Sequence, residues 1–347
     1  MHLAVYLPLV IPVLAALAAR PLADRLPPAA ATWLLAGSSL ALAAASSAVL
    51  GLLALTALVR VPFVDAVANM SVQAISRSDP ASLPVAIAAG ALLAAAAAAA
   101  CRALWRRGAA IVAAGRQARR LPGAGQVVVT EDSAADAYTL PGWPCRIVIT
   151  TGMLRALSAQ ERQVLLAHER AHASGSHYLF TSGARLAAAA NPLLRPVAAQ
   201  VGYTVERWAD ERAALDVGDR PLTARAIARA AMATTAAPPD RAGPATALGL
   251  VPVDADRDQA RGSERGADAG GRGESRGRHR FTRPALRRAG PVPRRVAALL
   301  GPPPQPRLLL LAAAVALVAI SGLSALEAAR NLHQLLELAQ AASAARS

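Results

Sequence analysis

Residues 158–173 read Ser158-Ala-Gln-Glu-Arg-Gln-Val-Leu-Leu-Ala-His-Glu-Arg-Ala-His-Ala173, and this run predicts both a helix and a chemistry. Ser158 with Glu161 three residues later is a capping box, in which each side chain takes up a backbone N–H left free at a helix start. The spacing predicts a helix from about Ala159 to Ala173. Residues four apart on a helix share a face, so His168 and His172 offer two imidazoles to one metal ion. Zinc accepts neutral imidazole nitrogen, and a catalytic zinc takes three protein ligands and leaves a fourth position for water. Glu169, beside the first histidine, points next to such an ion rather than at it. A carboxylate there can take a proton from water and later hand it to a leaving amine.

The third ligand has to come from elsewhere. The best candidate is Glu206 in Val205-Glu-Arg-Trp-Ala-Asp210. Its spacing puts Glu206 and Asp210 on one helix face, so that Glu206 can bind metal while Asp210 accepts the N–H of a ligand histidine. His177 is a rival third ligand, read otherwise as a surface histidine. Gly175 stands where the pattern His-Glu-x-x-His-x-x-Gly-x-x-His has its glycine, but the last position of that pattern is Tyr178 here. His2, His279 and His333 fall at a terminus, in a linker and in a tail. Arg170 and Glu211 read as exposed helix charges.

Outward from this centre the chain is apolar. Of 347 residues, 54% are hydrophobic but only 3% aromatic, an alanine- and leucine-rich balance found in membrane helices and helical bundles. Crossing a bilayer takes about 20 apolar residues in a helix. Four stretches qualify or nearly so: Leu3 to Ala19, Leu26 to Val59, Pro80 to Cys101 and Leu308 to Leu326. The first lacks a basic start and reads as a retained span rather than a signal peptide. Arg102, Arg106, Arg107, Arg116, Arg119 and Arg120 follow the third span, and such a cluster is expected on the cytoplasmic side, with the N-terminus outside.

Between the third and fourth spans, Gln126 to Thr130 and Arg146 to Thr150 are β-branched runs, read as two strands joined by a long hairpin-like connection. Helices are expected over about Tyr178 to Val201, interrupted near Asn191-Pro192, and from about Val205 to Asp216, with Gly218 as a stop. From about Ala237 to Pro306 the composition turns to Gly, Pro, Arg and Asp and reads as a mostly disordered linker, with a short helix at Arg294 to Leu300.

The net charge of +15 comes from 37 basic residues, all of them arginine. It does not point to nucleic acid: the linker also carries Asp254, Asp256 and Asp258 and is almost without aromatic residues for stacking. No direct nucleic-acid partner is expected. Two cysteines, Cys101 and Cys145, supply neither a disulfide framework nor a cysteine metal site.

With both motifs in place between three N-terminal spans and a fourth, the chain resembles the BlaR/MecR-type membrane metallopeptidases, and the related HtpX and CAAX prenyl protease group shares the motif pair. The resemblance implies a mainly α, integral membrane protein of about four transmembrane helices with a cytoplasmic α+β zincin-like metallopeptidase domain. The expected organisation is three transmembrane helices in 1–104, the peptidase domain in 105–236, the linker in 237–306, a fourth span in 307–326 and a tail in 327–347. It further implies one Zn2+ per chain on His168, His172 and Glu206, Glu169 as catalytic base, and Asp210 behind the ligands. A peptide substrate would lie along an edge strand, in a region like Ala137-Tyr138 and Ile147 to Gly152. The expected activity is endopeptidase action on a cytoplasmic or membrane-proximal protein, such as a transcriptional repressor, by a multi-pass protein of the cell membrane. The alternative is a non-catalytic membrane scaffold with a structural zinc. The antibiotic-sensing members carry a penicillin-binding domain after the last span, which Glu327 to Ser347 is too short to supply.

Overall fold

The computed structural model describes residues 7–59, 83–142, 145–235, 290–303, 305 and 307–344. It is mostly helical, and its contacts divide into two compact units: Met1–Arg106 with Phe180–Val201 and Gln305–Ser347, and Arg107–Leu179 with Gly202–Pro304.

The first unit is built on α1 (Leu7–Arg25), α2 (Pro28–Val59), the start of α3 (Leu83–Arg120) and α10 (Leu308–Ala344). Among the described residues, three segments are long and apolar enough to cross a membrane: Leu7–Arg25, Pro28–Leu55 and Pro84–Arg120. The fourth expected span falls in α10, where the apolar stretch Leu308–Ser324 is shorter. Leu26, Ala31 and Leu34 pack against Leu310, Leu311 and Ala314, and Ala89 of α3 joins Ala45, Val49 and Leu53 of α2.

Polar groups in this unit answer backbone defects. Pro12 in α1 has no N–H to give the carbonyl four residues back, that of Pro8. The Ser46 hydroxyl of α2 lies 2.7 Å from that carbonyl and 2.8 Å from its own Leu42 carbonyl, while Asn191 donates to Ser46 Oγ at 3.1 Å. Asn191 also caps the one-turn 3-10 helix Pro192–Leu194, its side-chain oxygen accepting from the Leu193 N–H. The break expected at Asn191-Pro192 is therefore present, between α6 (His177–Ala190) and α7 (Arg195–Val217). No second break follows: α7 runs through Val201 to Val205, and ends at Gly218 with φ +75.

The second unit holds a three-stranded sheet of β1 (Val127–Thr130), β2 (Ala137–Leu140) and β3 (Arg146–Thr150) in the order β1-β3-β2. β1 and β3 are parallel, so the expected hairpin between them is corrected. The antiparallel partner of β3 is β2, a strand too short and too poor in β-branched residues to stand out. β3 is consequently central and buried throughout, and β2 is an edge. Arg146 donates to the carbonyls of Leu121, Pro122, Gly123 and Gly125, tying β3 to the loop that follows α3.

Past β3, Thr150 caps α4 (Thr151–Ala156), accepting from the Met153 N–H, and donates to the loop before β2. Then comes α5 (Ala159–Ser174) with its capping box formed: Glu161 accepts from the Ser158 N–H at 2.9 Å and Ser158 Oγ from the Glu161 N–H at 3.4 Å. Arg229 of α8 (Arg220–Thr235) reaches Glu161 at 2.8 Å. Val164 and Ala167 of α5 pack on Ala213, Leu222 and Ala226, where small side chains let three helices approach closely. The short helix expected at Arg294 begins earlier, as α9 (Pro291–Leu300), and docks on α8 through Leu299, which packs on Ala224 and Ile227. Residues 237–289 of the expected linker lie outside the described residues.

Gly152 is required for space. A Cβ there would stand 2.7 Å from the carbonyl carbon of Ala134 and closer still to the Ser133 oxygen, both backbone atoms that cannot swing away. Gly152→Ala is expected to cost about 1–3 kcal/mol, the usual range for overpacking. Gly108→Ala, whose Cβ would meet nothing within 4 Å, is expected to be neutral or stabilising, and thermal melts of the two variants compare them directly.

Candidate active site

α5 and α7 bring the expected residues together. His168 Nε2 and His172 Nε2 lie 3.1 Å apart; Glu206 Oε2 is 3.6 Å from the former and Glu206 Oε1 3.4 Å from the latter. Ligand atoms bound at about 2.0–2.1 Å around a tetrahedral ion stand about 3.3–3.4 Å from one another, and the three observed separations bracket that spacing. His168, His172 and Glu206 thus fit a divalent metal ion, with both imidazoles presenting the same nitrogen to one point.

Behind these atoms lies a layer of buried charge. Asp210, one turn beyond Glu206, is 1% exposed; its Oδ1 is 3.0 Å from His168 Nδ1, a close approach off the axis of the ring N–H. Arg295 of α9 grips both Asp210 oxygens at 2.7 Å and reaches Glu206 Oε2 at 2.9 Å. α9 is anchored around it: Arg294 stacks 3.9 Å from the centre of the Tyr203 ring, and Arg220 donates to the carbonyls of Ala298 and Leu299 while pairing with Glu211. Glu211, expected as an exposed charge, is a partner in this docking. Arg170 is exposed, as expected.

On the other side of α5, the Thr139 hydroxyl of edge strand β2 is 2.9 Å from Glu169 Oε2 and 3.1 Å from the Glu169 carbonyl. One carboxylate oxygen is held and the other is left for a further partner. Burial raises the Glu169 carboxyl above its ordinary range, against the lowering effect of His168 and Thr139.

The histidines are sorted by surroundings. Burial pushes His172 down to about 3 and His177 down to about 4, so both are neutral imidazoles. Burial would lower His168 too, but its contacts with Asp210 and Glu206 outweigh it and raise the ring to about 10. Glu206 is held well below the carboxylate range: burial opposes this, and Arg295, His172 and His168 overcome it. Were His168 and His172 both neutral and Glu169, Glu206 and Asp210 all ionised, the three carboxylates would exceed the one guanidinium of Arg295 by two negative charges, which a divalent cation would cancel.

His177 corrects both readings of it. At 2% exposure it is no surface residue, and its Nδ1 lies 3.0 Å from Nδ1 of His172, on the ring edge away from the three converging atoms. Three contributors went unread in the sequence: Thr139, Arg295 and this position of His177. Arg295 is one arginine among many in a polar segment, and only Val296 and Leu299, at helical spacing beside it, hint that α9 packs inward. His2 and His279 lie outside the described residues, and His333 is on α10.

Two outcomes test this arrangement. Metal uptake at pH 6 is expected to release about one proton, from His168, because His172 is already neutral; calorimetry in two buffers of different ionisation enthalpy measures it. Below the raised value of His168, metal affinity should therefore fall with falling pH. Removing Arg295 strands the buried Asp210 and the largely covered Glu206, so Arg295→Leu is expected to destabilise the metal-free chain by about 3–5 kcal/mol, with a divalent ion restoring part of the loss in a thermal melt.

The family model for peptidase family M48 matches residues 106–301, more than half of the chain. No curated protein and no solved structure matches. The matched stretch contains His168, Glu169, His172, Glu206, Asp210 and Arg295, and the chain belongs to peptidase family M48, the metal-dependent peptidases.

Proposed function

We propose that this M48 peptidase is a membrane-bound zinc endopeptidase with His168, His172 and Glu206 as the zinc ligands, Glu169 as the general base and Asp210 orienting His168. The observation that carries the reading is the convergence of two imidazole nitrogens and one carboxylate at tetrahedral-edge spacing, with a buried glutamate on the same helix. Two nitrogens and one oxygen suit zinc, and three protein ligands leave a coordination position free for chemistry. When bound, the ion supplies Lewis acidity toward a peptide carbonyl and makes water easier to deprotonate.

The chain's own residues do the rest. Glu169, its carboxyl raised toward neutrality by burial, accepts a proton from the attacking water and delivers it to the departing amine nitrogen. Thr139 pins Oε2 of Glu169, so that the proton moves through a carboxylate of fixed orientation. Asp210 steers His168, and Arg295 keeps Asp210 and Glu206 ionised. A substrate strand laid along β2 would pass the residue that holds the base, which supports an extended peptide as the substrate form.

The three apolar helices, with α10 as a fourth crossing, support a multi-pass protein, and the arginines of α3 from Arg102 to Arg120 support a cytoplasmic peptidase domain with the N-terminus outside. On this topology the substrate is a cytoplasmic or membrane-proximal protein. The BlaR/MecR-type resemblance favours a transcriptional repressor, cleaved as part of a signal.

The test compares wild type with Glu169→Gln, purified in detergent, for zinc content and casein hydrolysis. Zinc is expected to stay at one per chain while hydrolysis falls by about 10²–10⁴-fold, the usual worth of a general base. Equal hydrolysis by both proteins would remove Glu169 from the reaction, and a chain that retains no zinc after reconstitution would overturn the metal assignment.

A further inference from the structure

α5 and α6 meet at Ser174-Gly175-Ser176-His177, and the turn is built around one imidazole. The chain reverses there through Ser176 in the left-handed region, at φ 47, a conformation that side-chain-bearing residues seldom adopt. The Gly175 N–H closes on the Ala171 carbonyl at 2.9 Å, and the His177 ring folds back over Gly175. A Cβ on Gly175 would stand 2.6 Å from Cδ2 of His177 and nearer still to Nε2, as well as 3.0 Å from the Ala171 carbonyl. Gly175 has an ordinary φ of −80, so glycine is needed here for the space the ring occupies. On its far side the ring lies 4.7 Å from Trp208 of α7, centre to centre. Turn, glycine and indole together leave His177 one position, and in it Nδ1 faces Nδ1 of His172 at 3.0 Å.

Only one hydrogen can lie between two facing Nδ1 atoms. If Nε2 of His172 is given to a metal, its proton must sit on Nδ1, which makes it the donor and Nδ1 of His177 the acceptor. Metal-bound histidines ordinarily pass the remaining N–H to an acceptor that fixes their tautomer and ring plane. Asp210 stands at that place for His168. We infer that His177 is the positioning residue for His172, a neutral imidazole acceptor that fixes the tautomer and orientation of the second metal-binding histidine, with Gly175 present to admit it. The two ligand histidines are thereby backed differently, His168 by an anion and His172 by an uncharged ring.

This inference rests on the proposed metal site, and its test keeps the two apart. Co2+ binding by the full-length chain in detergent, followed by visible absorption and chelator competition, is compared for wild type, His177→Phe, His177→Asn and Gly175→Ala. Phenylalanine keeps the stacking on Trp208 and removes the acceptor; it is expected to weaken Co2+ binding by about 10–100-fold and to change the visible spectrum. Asparagine returns an acceptor oxygen close to the place of Nδ1 and is expected to bind within about threefold of wild type. Gly175→Ala is expected to weaken binding in the wild-type background and to cost clearly less in the His177→Asn background, where the ring is gone and only the Ala171 carbonyl still crowds the methyl. Phenylalanine binding as well as wild type, asparagine losing as much as phenylalanine, or an equal Gly175→Ala cost in both backgrounds would each overturn the inference; the Gly175 comparison decides it if the phenylalanine variant does not fold. A wild-type chain that takes up no Co2+ would overturn the metal reading itself, and this inference with it.

Discussion

The guanidinium of Arg295, lying between Glu206 and Asp210, is the contact on which the site depends. Two carboxylates one turn apart on α7 are removed from water, and their repulsion and lost hydration would disfavour the fold if nothing of opposite charge joined them. Arg295 meets both with its planar fork, which lysine could not do. Its position is secured in turn by Arg294 on Tyr203, by Arg220 on the last carbonyls of α9 and by Leu299 in the helical core. With that charge in place, Glu206 can face the ligand histidines as an anion and Asp210 can back His168. The metal-binding geometry is therefore a product of three helices, of which α5 supplies the imidazoles, α7 the acids and α9 the compensation.

Rigidity enters by a separate route. The α5 helix is capped at its start by Ser158 and Glu161 and cross-tied to α8 through Arg229, so the histidines two and three turns on inherit a fixed axis. Glu169, the proposed base, is held from outside the helical layer by Thr139 on β2. β2 owes its place to antiparallel pairing with β3, and β3 is buried on all five residues. A sheet of only three strands is enough, because its task is to set one hydroxyl against one carboxylate and to leave an edge beside it.

What could be read from the sequence was local. The capping box, the four-residue spacing of His168 and His172, and that of Glu206 and Asp210 are relations within single helices, and all stand in the structure as written. The long apolar runs are equally plain because length and composition alone specify them, although α1 continues past Ala19 to Arg25 and α3 past Cys101 to Arg120. The misread elements depend on partners distant in the chain. Ala137-Tyr-Thr-Leu140 carries little strand signal of its own and is a strand because β3 lies beside it; without it, β1 and β3 read as a hairpin rather than a parallel pair. His177 failed for a different reason. Its spacing from His172 was visible, but the direction of its ring is set by the turn at Ser176 and by Trp208, neither of which announces a role. Arg295 is separated from Asp210 by 85 residues in a chain where every basic residue is arginine, so the short helix around it is legible but its pairing with Asp210 is not.

That separation also gives the site a birth order. During synthesis α1 to α3 are made before the histidine helix, the helix with Glu206 and Asp210 follows it, and Arg295 emerges 85 residues after Asp210. Until it does, the growing chain carries two acids without their counter-charge and has no α9 to hold them in place. The order of the sequence is thus an order of assembly, in which the acid pair waits for a helix made much later in the chain.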